Sequence, residues 1–155
     1  MIIRKAIKSD IKRILELLKE VGNVHSELRP DLFIKDKTKY DADELEQIIQ
    51  NSLKPIFVYV NDNNELCGYA FCMIREIEGT NLISHKTIYI DDICVDSKHR
   101  REHVASDLYG YVHNYARSTG CYNITLNVWN GNDSAIKFYE KCGLKVQKTV
   151  LETIL

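Results

Sequence analysis

The chain has 155 residues, 45% of them hydrophobic and 28% charged, with a formal charge of −1 at pH 7. This balance predicts a single globular domain, 1–155, whose core needs neither disulfides nor metal. The small net charge argues against a protein that is drawn to nucleic acid or membrane by its overall field. Five scattered cysteines without zinc-type spacing, and a short charged start, predict a cytoplasmic protein with reduced thiols, no metal and no signal peptide.

The first part of the chain predicts one strand and two helices. Residues 2–7 alternate well enough for a strand. Ser9 can then cap a helix that has its apolar residues on one face and is ended by Gly22. Residues 25–40 are polar and contain a proline, which predicts a long loop of the kind that often carries function. Residues 41–53 predict a second helix with acidic residues in its first turn.

The second part predicts mostly strands. The predicted elements are strands at 55–60, 66–77 and 84–95, a helix at 102–118, a strand at 122–129, a short helix at 133–142 and a final strand at 144–154. A strand–helix–strand crossover implies one parallel pair. The predicted fold class is therefore α/β (α+β), with a mixed, mostly antiparallel central sheet and helices on both faces. A ligand can enter where the parallel strands part.

The segment KHRREHVAS, residues 98–106, joins a strand to the start of a helix. A helix N-terminus offers unpaired N–H groups and partial positive charge, which suit a pyrophosphate. Arg100 and Arg101 would add charge-assisted hydrogen bonds. Taken alone, however, a basic run of this kind is more often a solvated turn.

From about residue 55 onward the chain resembles the GCN5-related N-acetyltransferase (GNAT) superfamily. The basic turn is similar to that family's Q/R-x-x-G-x-G/A pattern, with Arg100 first, Ala105 last and His103 at the middle glycine. The sequence N-x-x-A-x-x-F-Y-x-x-x-G-L, from Asn132 to Leu144, is similar to the family's C-terminal motif. The resemblance implies a GNAT-like acyl-CoA N-acyltransferase fold, and an enzyme that moves acetyl from acetyl-CoA to an amine by direct attack.

His103 is the departure from that pattern. Glycine at this position lets the backbone approach a phosphate and adopt positive φ. Histidine enters the left-handed region more readily than most residues, at a cost of about 1–2 kcal/mol. The turn can therefore keep its shape, while the imidazole either crowds the phosphate or, when protonated, contacts it.

The resemblance also implies where acetyl-CoA would bind. The backbone of residues 93–95 would pair with the pantetheine arm as an added strand, and Asn132 would hydrogen-bond the arm. We regard the side chains of Cys94 and Phe138 as packing groups. The expected cofactor contacts are Ile93, Cys94, Val95, Arg100, Arg101, Glu102, His103, Val104, Ala105, Ser106, Asn132, Ala135 and Phe138.

The predicted catalytic residues are Tyr139, Asp92 and Asp91. In the resembled family Tyr139 would lie near the thioester sulfur, where its hydroxyl can protonate the leaving thiolate. Strand alternation sends Asp91 and Asp92 to opposite faces, unless a bulge switches the register. An acid on this strand often serves the family as base, and we favour Asp92 slightly. A role in binding the substrate's cation or in capping a bulge suits these acids equally well.

His25, Glu27 and Arg29 in the predicted loop, and Trp129 at a strand end, are candidates for the acceptor side, although a buried tryptophan is commoner. The expected partner is a small-molecule or peptide amine, with no nucleic acid or membrane, and the sheet ends leave room for a homodimer. The alternative function is a non-catalytic CoA- or ligand-binding regulatory module of the same fold. A third, a phosphate- or nucleic-acid-binding domain, is opposed by the acids that flank the basic turn.

Overall fold

The computed structural model describes residues 1–155 and contains one five-stranded sheet in the order β1-β2-β3-β4-β5. The strands are β1 Ile2–Lys5, β2 Ile56–Val60, β3 Leu66–Ile77, β4 His85–Val95 and β5 Asn123–Leu126. The helices are α1 Ile11–Leu28, α2 Ala42–Gln50, α3 Val104–Ser118 and α4 Asp133–Lys141. All neighbouring strands are antiparallel except β4 and β5, which are parallel. The predicted mixed, mostly antiparallel sheet is confirmed.

Two apolar clusters lie on opposite faces of the sheet, because successive strand side chains point to opposite sides. One cluster packs α1 and α2 on the sheet, and the other packs α3. All five residues of β2 are buried, as are the first seven of β3, so both strands read as continuous apolar runs. No helix combines the length and apolar character needed to cross a membrane.

Helix α1 does not end at Gly22, as predicted, but continues to Leu28. A Cβ atom at Gly22 would lie 3.0 Å from the backbone oxygen of Lys37. The glycine therefore allows a close approach of the segment between α1 and α2 and does not terminate the helix. As a result His25 and Glu27 lie on the helix and Arg29 follows it, so the prediction of a loop from residue 25 is wrong for this part.

The predicted final strand is also absent. Residues 144–155, which we call the C-terminal arm, contain no regular element, and none of them lies in the sheet. Strand-like composition expresses how a segment fits a pleated surface, but it does not supply a neighbouring strand. Strand β5 lies at the end of the sheet and pairs only with β4.

Candidate active site

The candidate site begins where β4 and β5 stop pairing. Strand β5 pairs with β4 only along Thr87–Ile90, whereas β3 pairs with the other edge of β4 as far as Val95. From Asp91 onward the edge of β4 that faces β5 is therefore free. The backbone groups of Ile93, Cys94 and Val95, which were predicted to pair with an extended ligand, lie in this unpaired stretch. The Cys94 side chain is buried, and its burial raises the pKa of the thiol to about 12.

The start of α3 presents a cluster of unused donors. The backbone N–H groups of His103, Val104, Ala105 and Ser106 have no acceptor within the protein. His103, which stands where the family motif has glycine, adopts the left-handed backbone conformation with φ of 62°. Arg101 adopts the same conformation with φ of 68°. The exposed guanidinium groups of Arg100 and Arg101 form no ion pair within the chain. Free N–H groups and unpaired cations are the kinds of group that can bind an anion.

Gly68 of β3 allows α3 to pack closely against the sheet. A Cβ atom at this position would lie 2.7 Å from the backbone oxygen of Cys94 and 3.0 Å from Cγ1 of Val104. Val104 and Leu108 are buried behind this contact. Glu102, another of the predicted cofactor contacts, is exposed, and its Oε2 atom lies 3.0 Å from Nδ1 of His99. The close approach places the free N–H groups next to the end of β4.

The C-terminal motif forms the start of α4. The Oδ1 atom of Asn132 accepts from the N–H of Ala135 at 3.3 Å and from the hydroxyl of Ser134 at 3.2 Å. The N-x-x-A spacing is thus that of a helix cap. The Asn132 amide nitrogen donates to no protein atom and remains able to bind a ligand. Phe138 and Tyr139 pack edge to face at 5.0 Å and both stay partly accessible.

Tyr139 of α4 is close enough to Asp92 of β4 for the two side chains to interact electrostatically. Its burial raises the pKa of the phenol, and the charge of Asp92 raises it further. The hydroxyl is therefore protonated at neutral pH and can donate a proton. The electrostatic effect of Asp92 also indicates that the two predicted catalytic groups lie in one region.

Asp91 and Asp92 do not point to opposite faces. Phe71 pairs with Asp92 and Cys72 with Ile90, so Asp91 is the extra residue of a β-bulge. The Tyr69 hydroxyl donates to Asp92 Oδ2 at 2.7 Å, and the Lys39 ammonium donates to Asp91 Oδ2 at 2.6 Å. Both partners belong to the side of the sheet that α1 and α2 cover. The expectation from strict alternation is wrong, and the bulge that was its alternative is present.

The two acids differ in their electrostatic surroundings. Burial is the main cause that raises the pKa of Asp92 to about 6; Asp91 adds to the rise, and the Tyr69 hydrogen bond opposes it. Lys39 is partly desolvated, which would lower its pKa, but its bond to Asp91 prevails and the pKa is raised. Asp91 thus already holds a cation, while Asp92 has the intermediate basicity that suits a general base.

Three of the four acceptor-side candidates meet in one cluster. The rings of His25 and Phe33 lie 5.2 Å apart, Phe33 contacts Trp129 edge to face at 5.6 Å, and Arg29 covers Trp129 at 5.7 Å. Burial lowers the pKa of His25, and the Lys39 charge contributes. Trp129 is 38% exposed, so it is not a core residue. The fourth candidate, Glu27, is exposed and outside this cluster.

Sequence reasoning missed Tyr69, Lys39 and Phe33. Tyr69 alternates with Phe71 along β3 and has the pattern of a core aromatic residue. Lys39 lies in the charged run KDKTKY, which is typical of a solvated segment. Tyr69 contacts Asp92, Lys39 contacts Asp91, and Phe33 contacts Trp129. These partners lie 23, 52 and 96 positions further along the chain, so no local sequence pattern contains the contacts.

Comparison with known proteins places this architecture in a class. The sequence profile described as Acetyltransferase (GNAT) family matches residues 11–144, which is most of the chain. The chain therefore belongs to the GNAT acetyltransferase family. The resemblance inferred from the basic turn and the C-terminal motif is confirmed.

Solved structures share the fold over the whole chain. A mutant of the BH1408 protein from Bacillus halodurans has 25% identity and a TM-score of 0.95, covering 100% of this chain and 99% of that one. A transcriptional regulator from Bacillus halodurans C-125 has 19% identity and a TM-score of 0.80, covering 99% of each chain. The aminoglycoside N-acetyltransferase AAC(6')-Iy, solved with CoA, has 19% identity and a TM-score of 0.74, covering 99% of this chain and 98% of that one.

Proposed function

We propose that this protein transfers the acetyl group of acetyl-CoA to a primary amine by direct attack. The observation that carries the proposal is that a carboxyl and a phenol interact electrostatically near the point where β4 and β5 stop pairing, since the charge of Asp92 helps to raise the pKa of Tyr139. Asp92, with a pKa of about 6, can accept a proton at neutral pH. Tyr139, with its raised pKa, can donate one.

The residues that would hold acetyl-CoA fit its chemistry. The unused N–H groups at the start of α3, together with Arg100 and Arg101, suit a pyrophosphate. The free β4 edge at Ile93–Val95 can bond an extended amide-containing arm, and the free amide nitrogen of Asn132 adds a donor. When bound, acetyl-CoA supplies the activated thioester. The CoA complex of AAC(6')-Iy supports this assignment through the shared fold.

The proposed proton transfers balance the reaction. Asp92 takes a proton from the acceptor ammonium, directly or through a water molecule, so that the neutral amine can attack the thioester carbonyl. A backbone N–H near Cys94 and Val95 stabilises the oxyanion. The C–N bond forms, the nitrogen releases its second proton to solvent, the C–S bond breaks, and the Tyr139 hydroxyl gives its proton to the departing thiolate. Solvent then returns a proton to Tyr139 and removes one from Asp92.

The acceptor side favours a cationic amine. Asp92 can supply negative charge, whereas Asp91 is already paired with Lys39, and the cluster of His25, Phe33 and Trp129 provides an aromatic wall. AAC(6')-Iy, and a second neighbour of the same fold solved with sisomicin, are named as aminoglycoside acetyltransferases. These neighbours support a small-molecule amine, and an exposed protein amine has the same reacting group.

The test is transfer of radiolabelled acetyl from acetyl-CoA to a panel of diamines, aminoglycosides, amino acids and peptides. We expect turnover with at least one class, and a loss of kcat of about 100-fold or more in Tyr139→Phe and in Asp92→Asn. Acetyl-CoA binding should persist in both variants. Tight acetyl-CoA binding without turnover on any amine would instead favour the regulatory module, for which His103 in the motif is the supporting observation.

A further inference from the structure

Lys39 is the one amine of the chain that contacts an acid of the β4 bulge. Its Nζ atom lies 2.6 Å from Oδ2 of Asp91. The Lys39 side chain is 55% exposed and the Asp91 side chain 12%, so the amine remains open to solvent while it touches a nearly buried acid. The other lysines with an acidic partner pair with acids outside the bulge, in the pairs Lys8–Glu46, Lys19–Asp36 and Lys86–Glu76.

An aromatic stack holds this amine on the same side as the proposed base. The Lys39 ammonium lies 5.5 Å from the centre of the Tyr40 ring, which is stacked on Phe71 at 5.8 Å. Phe71 is the register partner of Asp92 across β3 and β4. Burial dominates and raises the pKa of Asp92, and the Lys39 charge acts on that pKa in the opposite direction. Lys39 and Asp92 therefore interact through both the packing and the charge of the site.

The proposed path of acetyl-CoA leads to the same end of the β4 edge. The free N–H groups that would hold the pyrophosphate begin α3, which follows the C-terminal end of β4. An arm that leaves this point and pairs with β4 runs from Val95 back toward Ile93. Its thioester is therefore carried toward the bulge at Asp91, to which the Lys39 amine is bonded.

We propose that Lys39 is an acetyl acceptor of its own chain. This inference rests on the proposed acetyl transfer and names a modification site for it. Acetylation removes the charge of the Lys39 amine, so the acetylated side chain no longer forms an ion pair with Asp91. The modified chain therefore presents a free carboxylate to a cationic acceptor, and self-acetylation prepares the acceptor side of the site.

The proposed step is balanced in atoms and protons. Asp92 takes one proton from the Lys39 ammonium, and the neutral Nζ atom attacks the thioester carbonyl. The C–N bond forms, the nitrogen releases its second proton to solvent, the C–S bond breaks, and Tyr139 protonates the departing thiolate. The products are acetylated Lys39, free CoA and one proton released to solvent after Asp92 and Tyr139 have returned to their starting states.

The ion pair with Asp91 should make this reaction slow. Burial would lower the pKa of Lys39, but the bond to Asp91 prevails and raises it. The neutral amine is therefore scarce at neutral pH, and a free amine substrate should react faster than Lys39.

The test is incubation of the purified full chain with isotopically labelled acetyl-CoA and no added amine, followed by mass spectrometry of the intact chain and its peptides. We expect one labelled acetyl group, located on Lys39, and a first-order rate constant that does not depend on protein concentration. Lys39→Arg keeps the cation and should lose the labelling. Lys37→Arg, at an exposed lysine two positions away, should keep it. Tyr139→Phe should slow the labelling by about 100-fold.

Spontaneous acetylation would give a different pattern. It would label exposed lysines such as Lys37 as readily as Lys39 and would be unchanged in Tyr139→Phe, and this pattern overturns the proposal. A rate constant that rises with protein concentration indicates transfer between chains and overturns it as well. Turnover of free amines without label on Lys39 overturns this inference alone and leaves the proposed function standing. Absence of transfer both to Lys39 and to every free amine overturns the two together.

Discussion

The ammonium group of Lys39 lies 2.6 Å from Asp91 Oδ2, inside the region where a cationic acceptor would bind. The same ammonium stands 5.5 Å above the ring of Tyr40, which is stacked on Phe71 at 5.8 Å. Lys39 is therefore held in place by a carboxylate and an aromatic ring. Under the proposed function, an incoming amine meets a site that already contains one of the chain's own cations.

Replacing Lys39 by methionine should make the site more receptive to amines. Removal of the resident cation frees Asp91 and ends charge repulsion, so we expect the KM for a cationic acceptor to fall by about 3- to 10-fold with kcat changed less than about twofold. Steady-state kinetics with varied acceptor measure both constants. Lys37→Met, at an exposed lysine two positions away, should change neither. A higher KM in Lys39→Met would mean that Lys39 assists acceptor binding.

Tyr69 should set the pH range of activity through Asp92. Asp92 must be ionised to accept a proton, so the rate should fall as the pH drops through its pKa of about 6. The Tyr69 hydroxyl stabilises the ionised form, and Tyr69→Phe should therefore move the acid limb of kcat/KM to higher pH. Tyr59→Phe removes a hydroxyl from the opposite side of the sheet and should leave the profile unchanged. If the acid limb of kcat/KM does not move in Tyr69→Phe, Asp92 is not the group whose ionisation controls the rate.

The left-handed turn at His103 predicts how acetyl-CoA affinity responds to substitution. His103→Gly can keep φ of 62° without strain, so we expect acetyl-CoA to bind at least as tightly as in the parent chain. His103→Val places a β-branched residue in the same conformation and should weaken binding about tenfold or more. Calorimetric titration of the three proteins measures this order. Equal binding by the valine variant would show that the turn does not hold the phosphates.

Two glycines near α3 should respond oppositely to alanine. Gly68→Ala forces a Cβ atom to within 2.7 Å of the Cys94 oxygen and should lower the free energy of unfolding by about 1–3 kcal/mol. Gly110, inside α3, has open space around its Cβ position, so Gly110→Ala should raise that free energy by about 0.5–1 kcal/mol. Chemical denaturation measures both. A neutral Gly68→Ala would mean that α3 can shift away from the sheet at little cost.

Local patterns predicted much of this molecule because the signals themselves are local. The bounds of β3 were predicted to the residue, and the acidic first turn of α2 is present, with Asp41 and Glu44 forming a capping box. The N-x-x-A spacing at Asn132 forms a helix cap, and His103 adopts the left-handed backbone conformation expected at the position of the motif glycine. Each of these features arises from side-chain volume, capping or backbone conformation within a few residues.

The tertiary structure decided what depends on neighbours distant in sequence. Gly22 has the sequence of a helix stop, yet the helix continues through it, and a carbonyl from the next segment packs against the glycine. The bulge at Asp91 depends on the register of β3 against β4, and only that register brings Tyr69 to Asp92. The arm has the composition of a strand, but composition cannot provide a hydrogen-bonding edge. Residue order alone thus determined which elements can form and which chemical groups they carry, whereas packing determined which groups meet, because one added or displaced residue turns a side chain to another face.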